Sequence, residues 1–228
     1  YIEPDDRMAD DLVFTEWEVT GGKGVELKYA EDGTVSFIMP QSDVPVEITA
    51  QYAKLNAVTV HDGTAAHENG DDLLIMNDGS LGAIEGKVIT ITAKDKSAES
   101  KVFDHWEVKD NKVPLTSVND DGSEATFVMI GDAVEITAVY ANVHDVTVHS
   151  DDLSYSETFD DIKVDTPYKV TAPEIPGKRF DHWHDNNGNL NDLDVKAGTF
   201  TMPDEDVDLT AVYVALNDVT VKYGTAVN

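Results

Sequence analysis

The sequence predicts an all-β or β-rich protein built from tandem small domains that follow one another like beads on a string. Three observations support this prediction: one set of motifs occurs three times in the same order, its segments alternate apolar and polar residues, and Asx-Gly turns separate them. Because each copy is longer than the roughly 20–50 residues of a solenoid repeat, we expect each copy to fold around its own core.

The repeated motifs begin with an aromatic corner, in which a Phe and a Trp stand three residues apart. A Phe-x-Met segment follows, and then an alternating strand that ends in Tyr. The tryptophans at 17, 106 and 183 set the copies 89 and 77 residues apart. The predicted core residues are Phe14, Trp17, Tyr52, Phe103, Trp106, Phe127, Tyr140, Phe180, Trp183, Phe200 and Tyr213.

A second motif, Val-Thr-Val, opens each unit at 58–60, 146–148 and 219–221, but no such motif precedes the first aromatic corner. We therefore predict four segments and interpret the chain as a window from a longer protein. These are an incomplete N-terminal repeat without its first strand at 1–56, complete repeats at 57–142 and 143–216, and the first strand of a further repeat at 217–228.

The strand before each closing tyrosine has the clearest periodicity. Val134, Ile136 and Ala138 alternate with polar or outward-facing residues, and the segments from Val46 and Val207 repeat the pattern. Alternation of this kind is typical of a half-buried strand. Second strands are expected at 89–93 and 168–172, tight turns at the Asx-Gly pairs 32–33, 78–79, 121–122 and 187–188, and a short helical turn at most over 73–76.

The aromatic corner itself predicts an irregular strand. Side chains on a flat strand share a face only at every second residue, so Phe and Trp three apart point to opposite sides. A bend or bulge at Phe103–Trp106 and at Phe180–Trp183 brings both rings to the core.

Composition excludes several classes of function. The 228 residues contain 45 acidic and 16 basic side chains, for a net charge of −29 at pH 7. Such a charge opposes binding to nucleic acid or to an anionic membrane surface, both of which require a basic face. The chain has no cysteine, and it contains no apolar run of about 18 residues, so we expect no disulfide and no membrane insertion in this segment.

Taken together, the motifs resemble a known family. Val-Thr-Val, a strand ending in Thr-Ala, Phe-x-x-Trp, and Thr-Phe-Thr-Met-Pro-x-x-x-Val-x-Leu-Thr-Ala-x-Tyr are similar to the divergent InlB B-repeat family, in full over about 57–142 and 143–216 and in part over 1–52 and 217–228. Ile130 stands where proline is usual, and His105 and His182 stand where glycine is usual. The resemblance implies small β-grasp-like modules of secreted or cell-wall-linked bacterial proteins, with no catalytic residues to transfer.

The best candidate for a metal site is a polar loop. Alternate oxygen-bearing side chains can wrap a Ca²⁺ ion, although Leu190 occupies the position that needs glycine in an EF-hand and no glutamate closes the loop. A plain polar turn is the alternative. The predicted calcium ligands are Asp185, Asn187, Asn189, Asn191 and Asp192.

Other candidate ligands carry a weaker signal. His182 and His184 are two residues apart and can share a strand face as metal ligands, whereas the recurrence of His105 in the slot of His182 favours a structural role. The acidic pairs at 151–152 with 160–161, and Glu68 with 71–72, are typical of solvated loops. We predict that the protein is not an enzyme, because it has no cysteine nucleophile, phosphate loop or nucleophile elbow.

Three functional hypotheses follow. The first is a stalk, spacer or adhesive region of an extracellular or cell-wall protein, with adjacent repeats as its partners. The second is a filament subunit that donates strand 218–225 to the N-terminal repeat of another copy, although that tail supplies only 11 of the 28 residues at 145–172 of the intact repeat. The third is a module that binds a glycan or a host protein through aromatic residues such as Tyr155 or Tyr223.

Overall fold

The computed structural model describes residues 1–21, 25–30, 34–39, 41, 44–216 and 222. These residues form strands and three short 3-10 helices, so the predicted all-β class is confirmed. The helices are Met8–Asp10, Ser97–Glu99 and Lys109–Asn111. The strands are β1 Leu12–Gly21, β2 Lys28–Tyr29, β3 Val35–Ser36, β4 Val46–His61, β5 Gly63–His67, β6 Leu74–Ile75, β7 Leu81–Ile84, β8 Val88–Ala93, β9 Lys101–Val108, β10 Thr116–Ser117, β11 Glu124–Val128, β12 Val134–Ser150, β13 Ser156–Lys163, β14 Pro167–Lys169, β15 Lys178–Asp185, β16 Thr199–Thr201 and β17 Val207–Ala215.

Residue contacts divide the chain into two compact units. The first unit contains Tyr1–Lys94 and His105–Val139, and the second contains Asp95–Asp104 and Tyr140–Asn228. The predicted repeat boundaries at 56/57 and 142/143 fall inside strands β4 and β12. Whether each of the four predicted segments is a folding domain stays a prediction.

In the first unit, one long strand serves two repeats. The first half of β4 pairs antiparallel with β1, from Leu12 opposite Lys54 to Gly21 opposite Val46. Its second half pairs antiparallel with β7 and parallel with β12, where Val58 lies opposite Val134. Strand β4 therefore ends the N-terminal repeat and begins the next one without a linker.

The core of the first unit lies between this sheet and a second sheet with the strand order β10-β11-β8-β5. Alternate residues of the facing strands supply it, as the two-residue periodicity predicts. Its buried residues are Val58, Leu73, Ala83, Ile89, Ile91, Val113, Ala125, Phe127, Met129, Val134 and Ile136.

The second unit has the same parallel pairing of first and last strands around its own core, but among the described residues its second sheet has only two strands. Strand β17 pairs antiparallel with β15 and parallel with β12, where Val146 lies opposite Val207. Strand β13 pairs with the other edge of β12, and β14 pairs with β16. The buried core residues are Val146, Val148, Val170, Trp183, Phe200, Met202, Val207, Leu209, Ala211 and Tyr213.

The aromatic corner contains the bulge that the three-residue spacing predicts. The register of β15 on β17 shifts between Phe180 and His182, so that Phe180 lies opposite Tyr213 and Trp183 lies opposite Ala211. The Phe180 and Trp183 ring centroids are 5.3 Å apart. The prediction is confirmed for this corner, and the N-terminal corner has the same bulge between Phe14 and Glu16.

The predicted core aromatics differ in how deeply they are buried. Phe127, Trp183, Phe200 and Tyr213 are buried. Partly exposed side chains occupy the other positions, namely Phe14, Trp17, Tyr52, Phe103, Trp106, Tyr140 and Phe180. The packing around Trp183 also explains why residue 198 is glycine, because a Cβ atom there would lie 2.5 Å from Trp183 Nε1.

Three of the four predicted Asx-Gly turns lie in the described residues. Gly79, Gly122 and Gly188 have φ angles of 84°, 74° and 71°, in the left-handed region that glycine enters readily. The turn at 32–33 lies outside the described residues. The helical turn expected at 73–76 is wrong, because Leu74 and Ile75 form β6 and pair antiparallel with β7 across the turn at Gly79.

Within the described residues, no helix is long and apolar enough to cross a membrane.

We predict that Trp183→Ala unfolds the second unit and leaves the first unit folded. Trp183 is 2% exposed, and removing a buried tryptophan costs about 3–5 kcal/mol, close to the whole stability of a small domain. Hydrogen exchange read by mass spectrometry measures the two cores separately. Loss of protection in β8 and β11 as well as in β15 and β17 would contradict two independent cores.

Candidate functional site

The best-defined feature outside the cores is the point where one repeat passes into the next. In the first unit, the 3-10 helix Met8–Asp10 ends at Asp11, which adopts the left-handed conformation with φ 57°. The Asp11 carbonyl accepts a hydrogen bond from Leu55 N–H at 2.8 Å, and its Oδ1 accepts one from Asn77 N–H at 2.7 Å. Asp11 therefore ties the N-terminal repeat both to the middle of β4 and to a turn of the following repeat.

The same backbone hydrogen bond occurs at the other two positions of the repeat. Ser100 has φ 54° and its carbonyl accepts from Val143 N–H at 3.0 Å. Gly177 has φ 77° and its carbonyl accepts from Leu216 N–H at 3.0 Å. In each case the acceptor stands three residues before the corner Phe and the donor three residues after the closing Tyr. We call this contact the junction hydrogen bond.

Sequence reasoning missed the junction hydrogen bond because its acceptors are Asp11, Ser100 and Gly177, three different residue types. Their constant spacing from the aromatic corner is the signal that identifies them. A left-handed conformation is strained for a residue with a Cβ, so the structure around Asp11 and Ser100 must hold it in place.

The donor side of the junction differs between positions in its burial. Leu55 is fully buried and Val143 is 2% exposed, and both pair with a strand of the following repeat, β7 and β13 respectively. Leu216 occupies the same slot and is 58% exposed. The two buried members of this set are therefore those that pair with a strand of the following repeat.

This periodic architecture agrees with a comparison against known families. The model of the divergent InlB B-repeat domain matches residues 63–144 and 154–217, which together make up more than half of the chain.

The chain belongs to the divergent InlB B-repeat family.

The two matched segments correspond to the two complete B-repeats found above. The family is typical of bacterial surface proteins, and its repeats are generally non-catalytic. A comparison with curated proteins finds no match to the chain.

The predicted calcium loop of the second complete B-repeat uses its carboxylates to hold backbone. Asp185 accepts hydrogen bonds from Asn187 N–H at 3.1 Å and Leu190 N–H at 2.9 Å. Asp192 accepts from Thr201 N–H at 3.1 Å and from its hydroxyl at 2.7 Å. Such hydrogen bonds from carboxylates to nearby backbone N–H groups are typical of a plain polar turn.

The amides of the same loop also bond to protein atoms. Asn187 and Asn189 both donate to the Asp206 carbonyl, at 3.1 and 3.0 Å, while Asn191 is exposed. Among the described residues, no group of three or more His, Asp or Glu side chains is arranged to hold a metal ion. Calcium binding by this loop stays a prediction.

The histidines of the repeated slot contact neighbouring carboxylates. His182 Nδ1 lies 2.9 Å from Asp181 Oδ2, and His105 Nε2 lies 3.7 Å from Glu107 Oε1. His184 is exposed. Both histidines of this repeated position therefore contact a carboxylate on their own strand.

Two other histidines form a repeated cross-strand pair that the sequence reading missed. His61 Nε2 lies 3.1 Å from Glu135 Oε1 on the parallel pair β4–β12, and His149 Nε2 lies 3.3 Å from Asp208 Oδ1 on the parallel pair β12–β17. Each histidine directly follows a Val-Thr-Val motif, and each acid follows the first residue of a closing strand. A basic side chain therefore faces an acidic one at the same place in both complete B-repeats.

The weaker candidates also have structural contacts. Asp151 and Asp152 both lie near the Lys178 ammonium, at 3.7 and 2.6 Å. The Tyr155 hydroxyl donates to the Glu157 carboxylate, and its ring packs on the core of the second unit. Tyr223, proposed as an exposed binding residue, lies outside the described residues.

A short Asp-x-Ser motif, in which the aspartate carboxylate accepts hydrogen bonds from the serine, recurs at three turns; we call this motif an Asp-x-Ser staple. Asp78, Asp121 and Asp152 each accept hydrogen bonds from the backbone N–H and the hydroxyl of the serine two residues later. The serine bonds hold the pKa of Asp78 and Asp121 below the ordinary value. Lys178 and then Ser154 lower the pKa of Asp152 strongly.

Because these pKa values are lower in the folded state, the staples stabilise the protein above the ordinary pKa of about 4 and lose that contribution as pH falls below it. We predict that Asp152→Asn lowers the melting temperature of the second unit at pH 7, and that its difference from the wild type shrinks as pH falls from about 5 to 2. Thermal unfolding across this range measures both effects.

Asp160→Asn is the matched control, because it removes the same charge at an exposed carboxylate that has no lysine contact among the described residues. A difference between wild type and Asp152→Asn that stays constant down to pH 2 would contradict the role of the ionised Asp152.

Whether the loop at 185–192 binds calcium can be tested separately. For the alternative of a plain polar turn, we predict that Asp192→Ala lowers the melting temperature equally in Ca²⁺ and in EDTA, because it removes the bonds from Thr201, whereas Asn191→Ala has no effect in either. Differential scanning calorimetry measures all four combinations. A calcium site would instead be established if Ca²⁺ raised the melting temperature of the wild type but of neither variant.

Proposed function

We propose that the chain is a non-catalytic stalk or spacer segment of a large bacterial extracellular or cell-wall protein. The observation that carries the proposal is the shared strand β4, which ends one B-repeat and begins the next within a single unit. A stalk must resist bending between its modules, and a shared strand provides this resistance directly.

The stiffness follows from backbone hydrogen bonding on both sides of the junction. Residues up to Lys54 pair with β1, and pairing with β7 starts at Leu55, so no residue of β4 is left as a linker. A bend at this point would break ladder hydrogen bonds and the two bonds to Asp11. Because a buried backbone group that loses its partner is costly, the straight strand is favoured.

The parallel direction of the first and last strands of each repeat supports a role in lengthening the protein. The first and last strands of a complete B-repeat are parallel, as in β4 with β12 and β12 with β17. In a parallel pair the chain enters at one end of the repeat and leaves at the other. Each repeat added in this way extends the chain instead of returning it to its start.

Charge and acid–base chemistry are consistent with a passive role. A net charge of −29 keeps neighbouring copies apart in solution. In the described residues, every resolved shift in the pKa of an Asp or Glu is downward, whereas a general acid needs a raised pKa.

The proposal predicts a narrow distribution of distances across the β4 junction. Because the chain has no cysteine, spin labels on Glu16→Cys and Lys87→Cys report one distance, measured by pulsed electron spin resonance. We expect a narrow distribution in the parent chain and a broad one after Gly-Ser-Gly is inserted between Lys54 and Leu55.

The same insertion between Asn69 and Gly70, in an exposed turn of the following repeat, is the matched control and should leave the distribution narrow. A broad distribution in the parent chain would mean that the junction is flexible, and the stalk proposal would then fail.

A further inference from the structure

We propose that the outer face of the second sheet of the first unit binds the same face of a second copy of this chain, so that two chains form a weak symmetric dimer. We call this surface the threonine face. It lies wholly within residues 63–128, whereas the donor strand 218–225 of the filament hypothesis lies outside the described residues except for Lys222. The inference concerns contacts between copies and does not depend on the stalk role.

The threonine face follows from the two-residue period of the four strands β10, β11, β8 and β5. Ile91 and Phe127 point inward and are buried in the core of the first unit. The residues between the inward-facing ones point to the other side and lie opposite one another across the strands, as Thr90 does with Thr126. The six residues that define the face are Thr64, Thr90, Thr92, Thr116, Thr126 and Val128.

This face is open to solvent in the part of the chain that the structure describes. Its threonines are exposed or partly exposed, and Val128 is 55% exposed. Val118, whose N–H donates to the Glu124 carbonyl at 2.8 Å and so continues β10 along β11, is 56% exposed. Because apolar side chains are stabilised when they leave water, a partner that covers the face gains free energy from both valines.

The threonine face has almost no charge, although the chain is strongly acidic. Charged residues make up 27% of the sequence, but none of the six residues that define the face is charged. Glu124, opposite Thr92, and Glu68 lie at its border. The outer face of the other sheet of the same unit differs, since it carries the ion pairs of Glu135 with His61 and Lys109.

The charge of the whole chain determines which faces of two copies can meet. Each copy has a net charge of −29, so two copies repel each other, and carboxylates inside a contact would add to that repulsion. The threonine face can be buried against its own copy without bringing carboxylates together at its centre. A charged partner would find no opposite charge on this face, so the charge pattern favours a second copy.

The shape of the face also fits a second copy. Two sheets pack face to face about 10 Å apart when the side chains of their facing surfaces interdigitate. Thr and Val are β-branched and stiff, so little side-chain freedom is lost on contact. A contact between identical faces has two-fold symmetry and uses both faces, so association ends at two chains. Among the described residues, the second complete B-repeat offers no equivalent face, because its second sheet is the pair β14–β16.

The size of the face predicts that the dimer is weak. Four strands about 4.8 Å apart, with about five residues each at about 3.4 Å per residue, cover roughly 300 Å². Two such faces bury roughly 600 Å² in total, whereas stable complexes bury about 1,200–2,000 Å². The threonine hydroxyls also lose water on burial, which lowers the affinity. We therefore expect a dissociation constant on the order of 0.1–1 mM.

Sedimentation equilibrium of the full chain tests the proposal. We expect the mass of one chain at low protein concentration, and a mass that rises toward two chains, and no further, at high concentration. Because salt screens the repulsion between acidic copies, the dimer should be several-fold tighter in about 1 M NaCl than in about 0.1 M NaCl. A contact held by ion pairs would weaken instead, which would contradict the proposal.

Paired variants locate the contact. Thr90→Glu, at the centre of the face, should raise the dissociation constant at least about tenfold, because it brings two carboxylates into the contact. Thr90→Val should lower it, because it keeps the shape and removes a hydroxyl that must lose water. The matched controls are Thr59→Glu and Thr59→Val, at an exposed position opposite Glu135 on the other sheet, and they should leave the dissociation constant nearly unchanged. Circular dichroism verifies that each variant is folded.

Three sedimentation results overturn the proposal. The first is the mass of one chain at every protein and salt concentration, since the face would then bind a different partner or none. The second is an equal dissociation constant for Thr90→Glu and Thr59→Glu, which would place the contact elsewhere. The third is a mass that exceeds two chains, which a closed dimer does not allow.

Discussion

The parallel pairing of the first and last strands is the interaction on which each complete repeat depends. Val58 with Val134, and Val146 with Val207, bring together residues that are more than 60 positions apart in the chain. Closing so long a loop costs conformational entropy, which grows only slowly with loop length. The buried apolar faces on both strands offset this cost. The intervening strands, such as β8 and β15, then have a fixed surface on which to pack.

Parallel pairing also explains how the repeats are connected. An antiparallel last strand would return the chain to the end where the repeat began, and a linker would be needed to reach the next module. A parallel last strand leaves at the far end and can continue as the first strand of the next repeat, as β12 does when it pairs first with β4 and then with β17. The junction hydrogen bond at Asp11 fixes the place where β4 passes from one sheet partner to the next.

The sequence alone predicts the parts of this fold that depend on side-chain pattern. The alternation at Val134 and Val207 identifies the closing strands, and the three-residue spacing of Phe180 and Trp183 predicts the bulge. The junction hydrogen bond was not predictable from residue type, because it is made by the backbone of Asp11, Ser100 and Gly177. The strand at Leu74–Ile75 was missed because a two-residue strand has too few positions to show a period. The polar loop at 185–192 shows a further limit of prediction from sequence. A calcium loop and a plain polar turn both require closely spaced carboxylates and amides, so the residue pattern does not distinguish them.

The burial of the residue after each closing tyrosine indicates how neighbouring repeats influence one another. Leu55 and Val143 are buried and pair with strands of the following repeat, whereas the equivalent Leu216 is 58% exposed. An apolar side chain contributes to stability only when it is removed from water, so part of the stability of each junction comes from the next repeat. This is the nearest-neighbour coupling that characterises repeat arrays. In the first unit this coupling runs through the shared strand β4, so a bend between its two repeats would break the same contacts that stabilise them.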